Sequence, residues 1–180
     1  MNKFTRRTVI AAACAAAAMT FAPMSFAQQA PEKKDVTIAV GGKSLYYYLP
    51  LSIAEQLGYF KDEGLNVKIV DFQGGSRSLQ AVVGGSADVV SGAFEHTISM
   101  QAKKQPMTAF VLQGRAPQLA LVVSNKTMKD YKQLSDLKGK KVGVTAPGSS
   151  SQMVANFILK KGGLGPKDVA FIGVGSSSGA

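Results

Sequence analysis

Val36-Thr37-Ile38-Ala39-Val40-Gly41-Gly42 is a run of mostly β-branched residues that stops at two glycines. Such residues favour strands, and paired glycines end them. The pattern returns in Val67-Lys68-Ile69-Val70-Asp71-Phe72, which stops before Gly74-Gly75 and follows a helical stretch at 50–57. A strand, a helix and a second strand of these lengths predict a βαβ unit, in which both glycine pairs lie at the same edge of a parallel sheet.

The same alternation continues outward to the end of the sequence. A second βαβ unit is predicted from strands at 141–145 and 169–174 and a helix at 151–161. Alternating strands and helices are typical of an α/β fold with mostly parallel sheets. We therefore predict two lobes, residues 36–121 and residues 122–180. The remaining predicted elements are strands at 88–91, 108–113 and 119–124 and helices at 76–83, 94–104 and 131–137.

The first 27 residues have the pattern of an export signal. Lys3, Arg6 and Arg7 precede an apolar stretch at 9–22, which is too short to span a bilayer, and Ser25-Phe26-Ala27 offers small residues for cleavage. We expect cleavage after Ala27, a flexible lead-in at 28–35 and a periplasmic mature protein. The Arg6-Arg7 pair fits a twin-arginine signal and an ordinary secretory signal equally well.

Composition restricts the possible chemistry. Hydrophobic residues make up 46% of the chain and charged residues 18%, which indicates a packed core. One Cys and one His provide neither a disulfide framework nor the usual ligands of a zinc site, so we predict no metal and no cofactor. We also predict no catalytic residue, since the one histidine, beside Glu95, suits the first turn of a predicted helix. The 21 Lys and Arg residues are not interleaved with aromatic residues, which argues against nucleic-acid binding.

Small polar residues follow strand after strand, where an open parallel sheet binds its ligands. Glycines allow close backbone approach, hydroxyls donate hydrogen bonds, and helix N-termini favour anions. A single loop of this kind is also an ordinary turn, but several at one edge predict a binding site. The candidate ligand-binding residues are Gly42, Lys43, Ser44, Tyr47, Gly74, Gly75, Ser76, Gly92, Glu95, His96, Arg115, Ser149, Ser150, Ser151 and Ser176.

The residues leave two ligand classes open. Arg115, which can grip a carboxylate or sulfonate in a bidentate fashion, favours a small organic anion together with Lys43 and the Ser/Gly loops. Glu95 and the aromatic run 46–48 suit an aminopyrimidine or another aromatic compound equally well. We take the organic anion as the first hypothesis.

Several motifs in order carry a family resemblance. The stretch Leu49-Pro50-Leu51-Ser52-Ile53-Ala54 precedes Gly58-Tyr59-Phe60-Lys61-Asp62-Glu63-Gly64-Leu65-Asn66-Val67, and Gly84-Gly85-Ser86-Ala87-Asp88-Val89 follows. With Asp136-Leu137-Lys138-Gly139-Lys140-Lys141-Val142, they resemble the nitrate/sulfonate/taurine (SsuA-like) class of ABC-transporter substrate-binding proteins. The resemblance implies a type II periplasmic-binding-protein-like fold, a hinge, and a ligand in the cleft between the lobes. It also implies a monomer that delivers a small-molecule ligand to membrane permease and ATPase subunits.

Two further expectations follow from the resemblance. Members of this class are considerably longer, so we expect an N-terminal fragment whose second lobe is incomplete. A related enzyme makes the thiamine pyrimidine, and fold alone does not decide function. A thiamine-pyrimidine-synthesis-like enzyme, or an aminopyrimidine-binding relative, is therefore the alternative to a transport protein.

Overall fold

Three parallel strands form the first sheet of the molecule, of which the computed structural model describes residues 31–176. They are β1 (Asp35–Val40), β2 (Asn66–Asp71) and β3 (Val89–Ser91), in the order β2-β1-β3. At the carboxyl edge, the last residue of β1 lies opposite the last residues of both β2 and β3. The loops that follow the three strands therefore leave the sheet side by side.

Helices cover both faces of β1. Ile38 and Val40 pack with Tyr48 and Leu51 of the segment that follows the strand, whereas Ala39 faces the opposite way and packs with Ala81. This alternation is the two-residue period of a strand buried on both sides. The helical elements are a 3-10 turn (Tyr46–Tyr48), α1 (Leu49–Gln56), α2 (Tyr59–Asp62), α3 (Gly75–Val83) and α4 (Glu95–Ala102).

The second sheet has its own core. Strands β4 (Lys141–Val144) and β5 (Ala170–Gly173) pair in parallel and are joined through α5 (Ser150–Lys161). Leu159 of α5 is 0% exposed. It packs against a cluster formed by Leu137, Val142, Ala155, Leu164 and Val169.

These elements confirm the predicted α/β fold with parallel sheets. Apart from the predicted elements at 108–113, 119–124 and 131–137, the predicted ends agree with the observed ends or differ from them by one or two residues, which is the usual scatter of helix and strand ends. The predicted helix at 131–137 is a shorter 3-10 turn, Leu134–Leu137. There Asp136 accepts the backbone amides of Lys132 and Gln133 at 2.9 and 3.0 Å, which lowers the pKa of its carboxyl group.

Two predicted strands are wrong. Residues 108–113 and 119–124 have apolar, β-branched sequences, but no strand among residues 31–176 pairs with them. Phe110 and Val122 are 74% and 83% exposed. Composition identifies a segment suited to a strand, but a strand also requires a neighbour for its backbone hydrogen bonds.

Other expectations fall outside these findings. The predicted signal peptide, the lead-in as far as residue 30 and residues 177–180 lie outside the described residues. The predicted boundary between two lobes at residue 121 stays a prediction. In the stretch from 31 to 176, no helix is both long and apolar enough to cross a bilayer.

Candidate functional site

The loops after β1 and β2 touch each other at the carboxyl edge of the first sheet. A Cβ atom at Gly41 would lie 2.4 Å from both the carbonyl carbon of Gly74 and the amide nitrogen of Gly75. Only glycine fits such a backbone contact. The structure therefore brings the predicted loops 41–44 and 74–76 together.

The amides of the first loop bind a carboxylate of the protein itself. Gly42 and Lys43 donate their backbone N–H groups to Asp71 Oδ1 at 2.7 and 2.9 Å, and Gly41 donates to the hydroxyl of Tyr48 at 3.1 Å. A negative charge thus occupies the place predicted for a ligand anion. Sequence reasoning missed Asp71, although its position at the end of the strand beside β1 was a usable signal.

Lys43, the cationic side chain predicted to bind a ligand anion at this loop, forms an ion pair within the protein. Lys43 Nζ lies 2.6 Å from Glu55 Oε2 of α1, in a partly exposed ion pair. Its neighbour Ser44 is exposed. The ion pair of Lys43 and the exposed position of Ser44 do not orient either side chain towards a ligand.

Side chains of α3 and the loop after β4 connect the two sheets. The backbone amide of Ser76 donates to Ser149 Oγ at 3.1 Å, the two hydroxyls lie 3.1 Å apart, and Ser76 Oγ donates to the carbonyl of Pro147 at 2.9 Å. A Cβ atom at Gly74 would lie 2.9 Å from Thr145 Oγ1 and 3.0 Å from Ser149 Oγ. The carboxyl edges of both sheets therefore face each other in contact.

The other predicted serines lie in the same region. A Cβ atom at Gly42 would lie 2.4 Å from Cβ of Ser176, so the loop after β1 also meets the segment after β5. Ser151 accepts the backbone amide of Thr145 at 3.0 Å, and its Oγ lies 2.9 Å from Thr145 Oγ1. Ser150, the first residue of α5, is half-buried. The predicted serines therefore gather here, but several of their hydroxyls stabilise the protein.

Glu95 and His96, at the start of α4, are different because they leave buried atoms unpaired. Among the described residues, Glu95 Oε1 and His96 Nε2 have no hydrogen-bond partner. His96 is 7% exposed, and its Nε2 lies 3.2 Å from the position of a Cβ on Gly75. Its Cδ2 lies 3.8 Å from the corresponding position on Gly92. The imidazole therefore stands between the loops that follow β2 and β3.

Burial sets the protonation states around this pair. Desolvation lowers the pKa of His96, and the negative charge of Glu95 opposes this only in part, so the imidazole is neutral at pH 7. Desolvation, and secondly the charge of Glu95, raise the pKa of the Tyr47 phenol. Glu95 thus acts electrostatically on two side chains that line a cavity.

That cavity has a volume of about 790 Å³ and lies between the first sheet and the segment at 107–114. Three predicted site residues, Tyr47, Gly92 and His96, line it together with mainly apolar side chains. Gly114, which precedes the predicted Arg115, lines it as well. The ring of Tyr47 packs edge-on against Tyr48, with centroids 5.0 Å apart. This volume suits a small organic molecule.

Arg115 does not join the other candidate ligand-binding residues at the cavity. It is exposed and does not line the cavity, and within residues 31–176 its side chain makes no hydrogen bond or ion pair that would hold it at the site. No group of three or more His, Cys, Asp or Glu side chains that could hold a metal is found in the described part of the chain.

Comparison with known proteins places this arrangement in a family. The model of the "NMT1/THI5 like" family matches residues 46–180, about three quarters of the chain. The chain belongs to the NMT1/THI5-like family. The similar structures that follow confirm the fold that the resemblance seen in the sequence implies.

Solved structures similar to this NMT1/THI5-like chain include a protein from Bordetella bronchiseptica RB50. It is 66% identical with a TM-score of 0.80, over 82% of this chain and 46% of that one. The alkanesulfonate-binding protein SsuA of Xanthomonas axonopodis pv. citri, bound to MOPS, is 21% identical with a TM-score of 0.56, over 82% and 50% of the two chains. At that identity the likeness shows the fold alone.

Two relatives of known sequence carry different names. The putative binding protein YtlA of Bacillus subtilis is 26% identical over 96% of this chain and 51% of its own length. The 4-amino-5-hydroxymethyl-2-methylpyrimidine phosphate synthase of Schizosaccharomyces pombe is 27% identical over 78% and 39%. This NMT1/THI5-like chain spans about half the length of YtlA and two fifths of the synthase.

Proposed function

We propose that this protein is the extracytoplasmic solute-binding component of an ABC importer. It captures a small organic molecule where the two sheets meet and delivers it to membrane permease and ATPase subunits. The contact of α3 with the loop after β4 carries the proposal, because it joins the carboxyl edges of two parallel sheets around the candidate residues. The similar fold of SsuA supports a binding role.

The expected export supports the same role. An importer's binding protein works outside the cytoplasm, and the basic and apolar segments of residues 1–27 have the composition of an export signal. We therefore propose a periplasmic location for the mature protein.

The organic-anion hypothesis receives little support from the site. Asp71 occupies the amides of Gly42 and Lys43, and Glu55 neutralises the side chain of Lys43. An anion placed beside these groups would meet a carboxylate before it met a free cation. The aminopyrimidine or aromatic alternative, which the sequence also left open, suits the aromatic side chains that line the cavity better.

Binding can be tested with the purified chain. Thermal unfolding and calorimetric titration are carried out with sulfonates, taurine, nitrate, aromatic carboxylates and aminopyrimidines. A compound that binds the folded state at about 100 times its dissociation constant adds roughly 2.7 kcal/mol of stability. We expect one class to raise the midpoint and to saturate at one equivalent.

A cavity-filling variant locates the binding. A Cβ atom at Gly92 makes only ordinary contacts, at 3.6 Å with Val90 and 3.8 Å with His96, so Gly92→Met directs its side chain into the cavity. Gln101→Met, which adds the same side chain on the exposed face of α4, is the matched control. Binding should be lost only in Gly92→Met. Saturation by no compound, or equal binding by both variants, would contradict the proposal.

The synthase relatives make an enzyme the second candidate. Reversible capture returns the ligand and the protein unchanged, whereas a synthase converts its substrate. Mass spectrometry of the recovered ligand and of the intact chain after prolonged incubation distinguishes the two. We expect both masses to be unaltered, and a product would support the enzyme.

A further inference from the structure

The positive charge of the chain is concentrated in the part that forms the second sheet. Residues 122–176 contain nine Lys and three Asp, a net charge of +6. Residues 31–121 contain nine Lys or Arg and eight Asp or Glu, a net charge of +1. A separation of charge this strong gives one part of the surface a positive field of its own.

The topology of the second sheet brings most of these lysines to its amino edge. Strands β4 and β5 start side by side, with the amide of Ala170 donating to the carbonyl of Lys140 at 2.9 Å. Helix α5 returns to this edge, where a Cβ atom at Gly162 would lie 2.4 Å from Cβ of Leu134, at the start of the 3-10 turn that precedes β4. Seven exposed lysines therefore share one edge, called here the lysine edge: Lys132, Lys138, Lys140, Lys141, Lys160, Lys161 and Lys167.

Two nearby carboxylates do not neutralise the lysine edge. Asp136 accepts the amides of Lys132 and Gln133, and Asp168 accepts the amide of Gly165 at 2.7 Å. Asp168 also lies 4.0 Å from Lys138 Nζ, and an exposed pair at that distance contributes little. Within residues 31–176 these two carboxylates form no other ion pair with the lysine edge. Its charges repel one another and would repel the same edge of a second copy, whereas an anionic surface would stabilise them.

An apolar face of α5 lies next to the lysine edge. Phe157 is 61% exposed, and Met153, one turn earlier on the helix, is 45% exposed. Lys161 Nζ lies 4.9 Å from the centre of the Phe157 ring. Exposed apolar side chains flanked by lysines are typical of surfaces that lie at the boundary between lipid headgroups and acyl chains.

The residue types also favour a lipid surface over a shaped partner. The lysine edge contains no arginine, which is the residue suited to planar, bidentate recognition of one carboxylate or phosphate. Lysines are mobile point charges, and they suit the diffuse negative charge of many headgroups.

We propose that the lysine edge docks on an anionic phospholipid surface, with Phe157 entering the headgroup region. This inference goes beyond solute capture and requires no ligand, so its failure would leave the proposed function untouched. The candidate binding site lies at the carboxyl edges of the two sheets, at the other end of β4 and β5. A protein docked in this way keeps its solute site away from the lipid.

Vesicle sedimentation tests the proposal. The protein is secreted by a bacterial host, and mass spectrometry verifies that the expected export signal has been removed, because an apolar signal would bind lipid by itself. We expect binding to vesicles of phosphatidylcholine and phosphatidylglycerol in equal amounts to be tenfold or more tighter than to phosphatidylcholine alone. Raising the salt from about 0.1 M to about 1 M shortens the screening length from about 10 Å to 3 Å and should abolish the preference. Equal binding to both kinds of vesicle would overturn the proposal.

Charge-matched variants separate the lysine edge from the general positive charge of the chain. The first variant combines Lys140→Gln, Lys160→Gln and Lys167→Gln. The control combines three exposed lysines of the first sheet and its helices: Lys61→Gln, Lys68→Gln and Lys103→Gln. Each lysine near an anionic surface contributes about fivefold, so we expect about a hundredfold loss in the first variant and less than a tenfold loss in the control. Circular dichroism verifies that both fold, and equal losses would overturn the proposal.

A substitution at Phe157 distinguishes lipid from an acidic protein as the partner. Phe157→Ala should weaken vesicle binding severalfold, whereas Tyr46→Ala, which removes an aromatic ring that is 88% exposed beside the first sheet, should not. Poly-glutamate offers the same negative charge without an apolar layer. Binding to poly-glutamate as tight as to the anionic vesicles, with Phe157→Ala unchanged, would assign the lysine edge to an acidic protein surface and overturn the proposal.

Discussion

At the scale of single residues, His96 is held neutral at a place where charge would be costly. The ring lies between Gly75 and Gly92, is 7% exposed and has an unpaired Nε2, and its burial lowers its pKa. The neutral form is compatible with the cavity, whereas the imidazolium would need hydration that the site does not offer. Stability should therefore depend on pH through this residue.

The sign of that dependence follows from proton binding. Above about pH 6.5 His96 is neutral in both states, and below it the unfolded chain takes up the proton first because the folded pKa is lower. The free energy of unfolding should fall as the pH decreases from about 6.5 towards the folded pKa. Urea denaturation at several pH values measures it, and His96→Gln should flatten the curve in that range. A parent curve parallel to that of the variant would contradict the assignment.

Gly74 tests the contact between the two sheets at the same scale. Gly74 and Gly85 both have positive φ, 91° and 76°, but a Cβ atom at Gly74 would meet Thr145 and Ser149 at 2.9 and 3.0 Å, whereas nothing lies within 4 Å at Gly85. Gly85→Ala should cost about 1–2 kcal/mol from its backbone conformation alone. Gly74→Ala should cost about 1–3 kcal/mol more, because its Cβ would overpack against Thr145 and Ser149 and because its φ of 91° and ψ of 158° lie in a region that essentially only glycine adopts.

Urea unfolding of the two alanine variants measures that difference. Equal losses of stability would mean that the loop after β4 does not pack against Gly74.

At the scale of elements, the sequence predicted the strands and loops that depend on residues close together in the chain. The β-branched run before Gly41-Gly42 became β1, and the small residues after successive strands did gather at the carboxyl edges. Contacts between distant residues were not predictable in this way. Lys43 binds Glu55, the amides of Gly42 and Lys43 bind Asp71, and these partners are chosen by packing rather than by any local pattern.

The segments 108–113 and 119–124 also show that a local pattern does not predict contacts between distant residues. Their composition is that of strands, but within the described residues they find no partner. Their backbone amides should exchange with deuterium faster than those of β1, which pairs on both sides. Hydrogen exchange followed by mass spectrometry on peptides measures this. Protection equal to that of β1 would contradict the unpaired arrangement.

At the scale of the whole molecule, two small parallel sheets present their carboxyl edges to each other. The first buries a core around β1 and the second buries one around Leu159. Between them lie the serine contacts, and next to these lie the unpaired atoms of Glu95 and His96. The proposed capture of a solute would therefore use residues that are far apart in the chain and that these two edges bring together.

The most direct test of solute capture uses the single histidine of the chain, whose ring resonances require no assignment. The NMR signals of His96 are followed while the compound that gives the largest thermal shift is added. We expect these signals to move and to saturate at one equivalent, with an affinity equal to the calorimetric value, and we expect Gly92→Met to abolish the change. Saturated binding that leaves the His96 resonances in place would contradict a solute site at this edge of the sheets.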